Sequence, residues 1–96
     1  MVTHIAIFKF KKEVPKEEID SAIIELSNLK SKFPRILEIS AGENFSKYSE
    51  GFTHAVVVKF ANRGDLDVYR AHPEHKPISE KLESFEEKSI GIDFES

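Results

Sequence analysis

The chemistry available to this chain of 96 residues, which lacks cysteine, rests mainly on four histidines and a tyrosine. His4 and His54 open two nearly identical strands, Thr3-His4-Ile5-Ala6-Ile7-Phe8-Lys9-Phe10 and Thr53-His54-Ala55-Val56-Val57-Val58-Lys59-Phe60, while Tyr69, His72 and His75 cluster in Tyr69-Arg70-Ala71-His72-Pro73-Glu74-His75. Imidazole changes its protonation near neutral pH, so it can take a proton from carbon next to a carbonyl. A tyrosine hydroxyl can donate a hydrogen bond to the oxygen where charge then develops. The spacing therefore supports acid–base chemistry on a small oxygenated, partly apolar metabolite, and this chemistry needs no cofactor. His75 is the candidate base and Tyr69 the candidate donor. His4 and His54 are candidate substrate-binding groups, and Phe8, Val56, Ile78 and Leu82 are candidate walls of a mostly apolar pocket. The competing reading makes His4 and His54 core or interface residues, Tyr69 a core residue and His72-Pro73 a helix stop.

Several other chemistries are disfavoured. Without cysteine there is no disulfide, thiolate metal site or thiol nucleophile. His72-Pro73-Glu74-His75 lacks the spacing of a zinc-binding helix, and Pro73 would break the helix that such ligands need, so no metal is expected there. Gly51-Phe52-Thr53-His54 echoes an RNA-binding strand, but aromatic stacking groups and a basic stripe are missing, and a net charge of −3 fits no nucleic-acid partner. No serine or aspartate sits in a triad context. No apolar run approaches membrane-spanning length, and the N-terminus lacks the pattern of a secretory signal, so a cytoplasmic location is expected.

The elements that must position these groups follow from periodicity. Residues 3–11 and 53–60 alternate in the two-residue period of strands, with apolar groups on both faces. Between them, Ile19, Ala22, Ile23, Leu26, Leu29 and Phe33 follow helical spacing from Pro15 to a stop at Pro34, and a second strand runs from about Ile36 to Ala41. Asn62 and Asp65 suit the start of a short helix through Ala71. His72 precedes proline and should leave the helix there. A further helix from about Glu74 places His75, Ile78, Leu82 and Phe85 on one stripe. Residues 88–94 close the chain as a strand with Ile90, Ile92 and Phe94 on one side and Ser89, Gly91 and Asp93 on the other.

The order is β-α-β-β-α-β over one domain, residues 1–96, the α+β, ferredoxin-like arrangement of a four-stranded antiparallel sheet with helices on one face. The first and third strands are then central neighbours. Read as a parallel pair, they would set His4 and His54 at the same height beneath Tyr69 and His75. The face away from the helices carries Ile5, Ile7, Ala55 and Val57, and leaving such side chains exposed forfeits about 1.5–3 kcal/mol each. A homodimer packed sheet to sheet is expected.

On these residues the chain resembles the stress-responsive A/B barrel domain, a dimeric α+β barrel family, over essentially its whole length. The resemblance lies in His4 with Ile5 to Phe10, Gly42-Glu43-Asn44-Phe45, Gly51-Phe52-Thr53-His54, Tyr69 to His75, and Ile92-Asp93-Phe94. It implies two subunits with facing sheets that form a dimeric α/β barrel. The family includes a plant polyketide cyclase that works without a cofactor, and the resemblance places that enzyme's catalytic tyrosine and histidine on Tyr69 and His75 and its pocket histidines on His4 and His54. Ile23 and Leu26 put aliphatic walls where that pocket is shaped. Some plant relatives act as stable oligomeric stress proteins, so the resemblance also allows the alternative of a non-catalytic oligomeric stress-response or binding protein. A second barrel family, the small antibiotic-biosynthesis monooxygenases, implies oxygen chemistry without metal or flavin; its haem-degrading branch relies on a tryptophan, which this chain lacks.

Overall fold

The structure is a computed structural model describing residues 1–96. Strand β1 (Val2–Phe10) leads to helix α1 (Lys16–Ser27), a 3-10 turn (Asn28–Ser31) and strand β2 (Glu38–Glu43). Strand β3 (His54–Phe60), helices α2 (Arg63–Ala71) and α3 (Lys76–Phe85) and strand β4 (Glu86–Glu95) complete the chain. The strands form one sheet in the order β2-β3-β1-β4, and every neighbouring pair is antiparallel. This is the ferredoxin-like α+β fold expected from the pattern of elements.

The helix ends follow local chemistry. Glu17 and Glu18 sit in the first turn of α1, where the helix dipole favours negative charge. The apolar spacing that reads as one helix to Phe33 is in fact split. The Ser27 hydroxyl donates to the Ile23 carbonyl at 3.0 Å, and the chain tightens into the 3-10 turn, still burying Leu29 and Phe33. Asn62 caps α2 by accepting from the Asp65 amide at 2.8 Å. At the far end His72 adopts φ −66°, ψ 134°, the extended conformation imposed by Pro73. Helix α3 starts at Lys76 rather than near Glu74, with Pro77 in its first turn.

The core lies between the helices and one sheet face. Val56, Val58 and Phe60 of β3 and Val2 and Phe8 of β1 meet Ile19, Ala22, Ile23 and Leu26 of α1, Leu66 and Tyr69 of α2, and Ile78 and Leu82 of α3. On the other face Ile5 lies between Val57 and Ile92, and Ile7 between Ala55 and Ile90. Ile90, Ile92 and Phe94 are 40%, 46% and 48% exposed, so an apolar face continues across three strands with no helix above it.

The direction of the central pair departs from the sequence reading. β1 and β3 are antiparallel, with His4 opposite Val58 and Phe8 opposite His54. The two histidines share the helix-facing side but lie four residues apart along the strands, about 13 Å at the usual rise. They are not neighbours beneath one gap. The reason is topological: β1 and β3 are not joined by one crossover, and in this fold the central pair belongs to two interleaved βαβ units that run in opposite senses.

Candidate active site

Beside the middle of β1, helices α2 and α3 leave a cavity of about 320 Å³, at the small end of the roughly 300–1,000 Å³ usual for ligand sites. The break at His72-Pro73 makes this space, because it lets Tyr69 at the end of one helix and His75 just before the next face the same volume. His4, Ala6 and Phe8 of β1 and Val56 of β3 form its sheet side. Leu26 and Leu82 add apolar walls, while Ser79, Glu83, Glu86 and Ser89 add polar groups.

Six of the eight residues singled out from sequence therefore share one cavity: Tyr69, His75, His4, Phe8, Val56 and Leu82. Ile78 is packed into the core instead. His54 opens β3 opposite Phe8 and is absent from the cavity lining. It sits against Phe10, ring to ring at 5.2 Å, and its Nδ1 meets the Thr53 hydroxyl at 2.8 Å. Its Nε2 is buried without any partner, an arrangement that costs about 1–3 kcal/mol. Burial lowers its pKa, against the opposing pull of Glu43 and Asp20, which favours the neutral ring.

Tyr69 and His75 are in direct contact, with ring centroids 4.3 Å apart. Tyr69 is only 2% exposed, and its ring also packs against Phe60 at 5.1 Å and Phe33 at 6.2 Å. Its pKa is pushed far above the usual 10.0 by burial alone, and no group of the chain hydrogen-bonds its hydroxyl. The phenol thus stays protonated and able to donate. The His75 ring is held by an Nδ1–H that donates to the Arg70 carbonyl at 3.4 Å, which leaves Nε2 as the acceptor. Burial lowers the His75 pKa, offset in part by that backbone bond, so the ring is neutral and basic at physiological pH.

His4 is oriented by a residue the sequence reading left aside. Asp93 is its neighbour across β1 and β4, and the His4 Nδ1–H donates to the Asp93 carboxylate at 2.5 Å. Arg70 of α2 donates to the other oxygen of the same carboxylate. Desolvation raises the Asp93 pKa, but hydrogen bonds from His4 and Arg70 outweigh it and hold the carboxyl below its ordinary value. The carboxylate stays charged and fixes His4 with Nε2 free. The signal was present in sequence. Ser89, Gly91 and Asp93 alternate against the apolar side of β4, and pairing β4 with β1 puts Asp93 beside His4.

The arrangement supplies a neutral base, a protonated donor and a tethered imidazole in a space walled by apolar side chains on the sheet side and by polar and charged ones at its rim. No cysteine offers a nucleophile. No helix of the chain is long and apolar enough to cross a membrane.

Residues 2–96 match the family described as Stress responsive A/B Barrel Domain. Olivetolic acid cyclase of Cannabis sativa is 27% identical over 95 residues, covering 97% of this chain and 94% of that protein. A crystal structure of a dimeric protein of unknown function with a ferredoxin-like fold from Bacteroides fragilis is 29% identical at a TM-score of 0.81, covering 99% of this chain and 95% of that one. An Arabidopsis thaliana crystal structure reaches a TM-score of 0.90 at 24% identity, covering 100% of this chain and 95% of the other, a likeness of fold.

Proposed function

The chain belongs to the stress-responsive A/B barrel family, and from that premise we propose that it is a homodimeric, cofactor-independent enzyme acting on a small oxygenated metabolite. The observation that carries this reading is the contact of a neutral imidazole with an unpartnered, protonated phenol in a cavity of mixed apolar and polar lining. His75 Nε2 takes a proton from carbon next to a carbonyl. The electron pair moves onto the carbonyl oxygen, where the Tyr69 hydroxyl donates a hydrogen bond to the developing charge. His4, held by Asp93, orients a second oxygen of the substrate. If the resulting enolate adds to another carbonyl of the same molecule, a carbon–carbon bond closes a ring, and the His75 imidazolium returns its proton to the new alkoxide. That outcome fits the relative named as a cyclase.

The dimer is proposed on the open sheet face. Ile5, Ile7, Ala55, Val57, Ile90, Ile92 and Phe94 form one apolar surface, and the Bacteroides fragilis structure of the same fold is dimeric.

A second reading is favoured by the depth of Tyr69: its ring is part of the core whatever its hydroxyl does. In that reading the protein is a non-catalytic oligomer, and the cluster fixes the helix layer to the sheet. Deuterium exchange at the carbon next to the carbonyl of a methyl ketone, followed by NMR, separates the two. The proposed enzyme accelerates exchange. His75→Asn abolishes the acceleration while leaving the melting temperature close to that of the parent. Because burial depresses the base, the acid limb of the rate lies below pH 6.5, the ordinary histidine value. Exchange that is no faster than in buffer, or that is unaffected by His75→Asn, favours the structural reading.

A further inference from the structure

At the start of β3, outside the cavity lining, three side chains from three elements converge. Glu43 closes β2 and is the register partner of His54, which opens β3. Asp20 comes from the helix that crosses above them. One ring nitrogen of His54 and one oxygen from each carboxylate all lie within 4.8 Å of one another. The Lys16 ammonium already bridges the two acids, 3.1 Å from Asp20 Oδ2 and 2.9 Å from Glu43 Oε1, so both carboxylates face a common cation position.

His54 supplies the independent observation. The residue is 93% buried, yet its Nε2 has no hydrogen-bond partner. Its Nδ1 meets the Thr53 hydroxyl at 2.8 Å. When Nδ1–H donates to that hydroxyl, Nε2 presents a bare lone pair. A metal-bound histidine uses its two nitrogens in this same division: one ligates, and the other donates to an oxygen that fixes the ring.

We propose that Asp20, Glu43 and His54 bind a divalent transition-metal ion of the zinc class, which displaces the Lys16 ammonium from between the carboxylates. One imidazole with two carboxylates suits such an ion, with solvent completing a tetrahedron. Magnesium and calcium, which prefer all-oxygen shells, suit it less. Ligand atoms around zinc sit roughly 3.4 Å apart, given bonds of about 2.0–2.2 Å, so the carboxylates must close in by up to about 1.4 Å. Their side chains are 42% and 59% exposed and free to rotate, and the Lys16 side chain, 68% exposed, is free to leave. The site shares no ligand with the Tyr69–His75 pair, so it stands or falls separately from the proposed reaction.

Calorimetric titration of the full chain with zinc chloride tests the assignment. One zinc ion per chain is expected, with magnesium binding at least tenfold more weakly. Asp20→Asn and Glu43→Gln, both at accessible positions, should each weaken zinc at least tenfold. Lys16→Met should tighten it severalfold, and Tyr69→Phe should leave it unchanged. Because His54→Gln risks the fold, the histidine is followed instead by the ¹⁵N shift of its Nε2 in the parent protein, which should move on zinc addition. Failure of one-to-one binding, zinc affinity indifferent to both carboxylate substitutions, or an Nε2 resonance that does not respond would overturn the site. Unchanged affinity in Lys16→Met would overturn the displacement of Lys16.

Discussion

Tyr69→Phe separates what the phenol does for the fold from what it does for chemistry. The ring is 2% exposed and packs against Phe33, Phe60, His4 and His75, with centroids 4.3–6.3 Å away. All of that packing survives in phenylalanine. The hydroxyl has no partner in the chain, so its removal strands no donor or acceptor, and the unfolding free energy should move by less than about 1 kcal/mol. For a domain of this size that is a melting shift of at most about 4–8 °C. Tyr69→Ala, by contrast, removes the ring from the core and should cost about 3–5 kcal/mol, a large part of the 5–15 kcal/mol that holds such a domain together. For the reaction the order reverses in kind. If the hydroxyl meets the developing oxyanion, its loss removes about 2.7–4 kcal/mol of transition-state stabilisation, a roughly 100- to 1,000-fold fall in turnover. A hydroxyl that met the bound substrate and the transition state equally would weaken binding by about 0.5–1.5 kcal/mol on removal and leave turnover unchanged. The assay pairs thermal unfolding with carbonyl-adjacent deuterium exchange on the same samples. A Tyr69→Phe protein destabilised by more than about 2 kcal/mol would show that the hydroxyl has a structural partner, and a rate within tenfold of the parent would refute its role at the oxyanion.

Two further outcomes follow from the geometry. The Asp93 carboxyl is depressed in the folded state, so its pairing stabilises the protein fully above the ordinary value of 3.8 and is lost as pH falls through the lower folded value. Asp93→Asn should remove that part of the acid dependence in urea titrations below pH 4, with a small effect because the side chain is 37% exposed and solvent-screened, and acid unfolding identical to the parent would contradict it. Ile92→Asp puts a carboxylate into the open apolar face beside Ile5. An unpaired charge in a covered interface costs about 3–5 kcal/mol, so the dimer should weaken at least about 100-fold in sedimentation, and an unchanged dimer would place the interface elsewhere.

How much of this was legible beforehand differs from residue to residue. The helical stripe from Ile19 to Phe33 was readable because its buried positions recur at the helical period, but its division at Ser27 was not, since a serine back-bond leaves no mark on that spacing. Tyr69 and His75 could be brought to one space from sequence because Pro73 forces the break that lies between them. Asp93 was readable in principle from the alternation of β4, yet it acquires meaning only beside His4, which requires the strand order.

The sequence by itself determined which residues form strands and helices, which side chains share a face, and that both faces of the central strands are apolar. Those properties are local, set by periodicity and by proline. The ferredoxin-like order already implies that β1 and β3 run in opposite directions; tertiary structure alone decided the register, which parts His4 from His54, gives His4 to Asp93 and the cavity, and leaves His54 with Asp20 and Glu43. The physical reason is that a period of two looks the same at every even shift of register. Alternation assigns each side chain to a face, but only pairing with a neighbouring strand assigns it a height and therefore its partners.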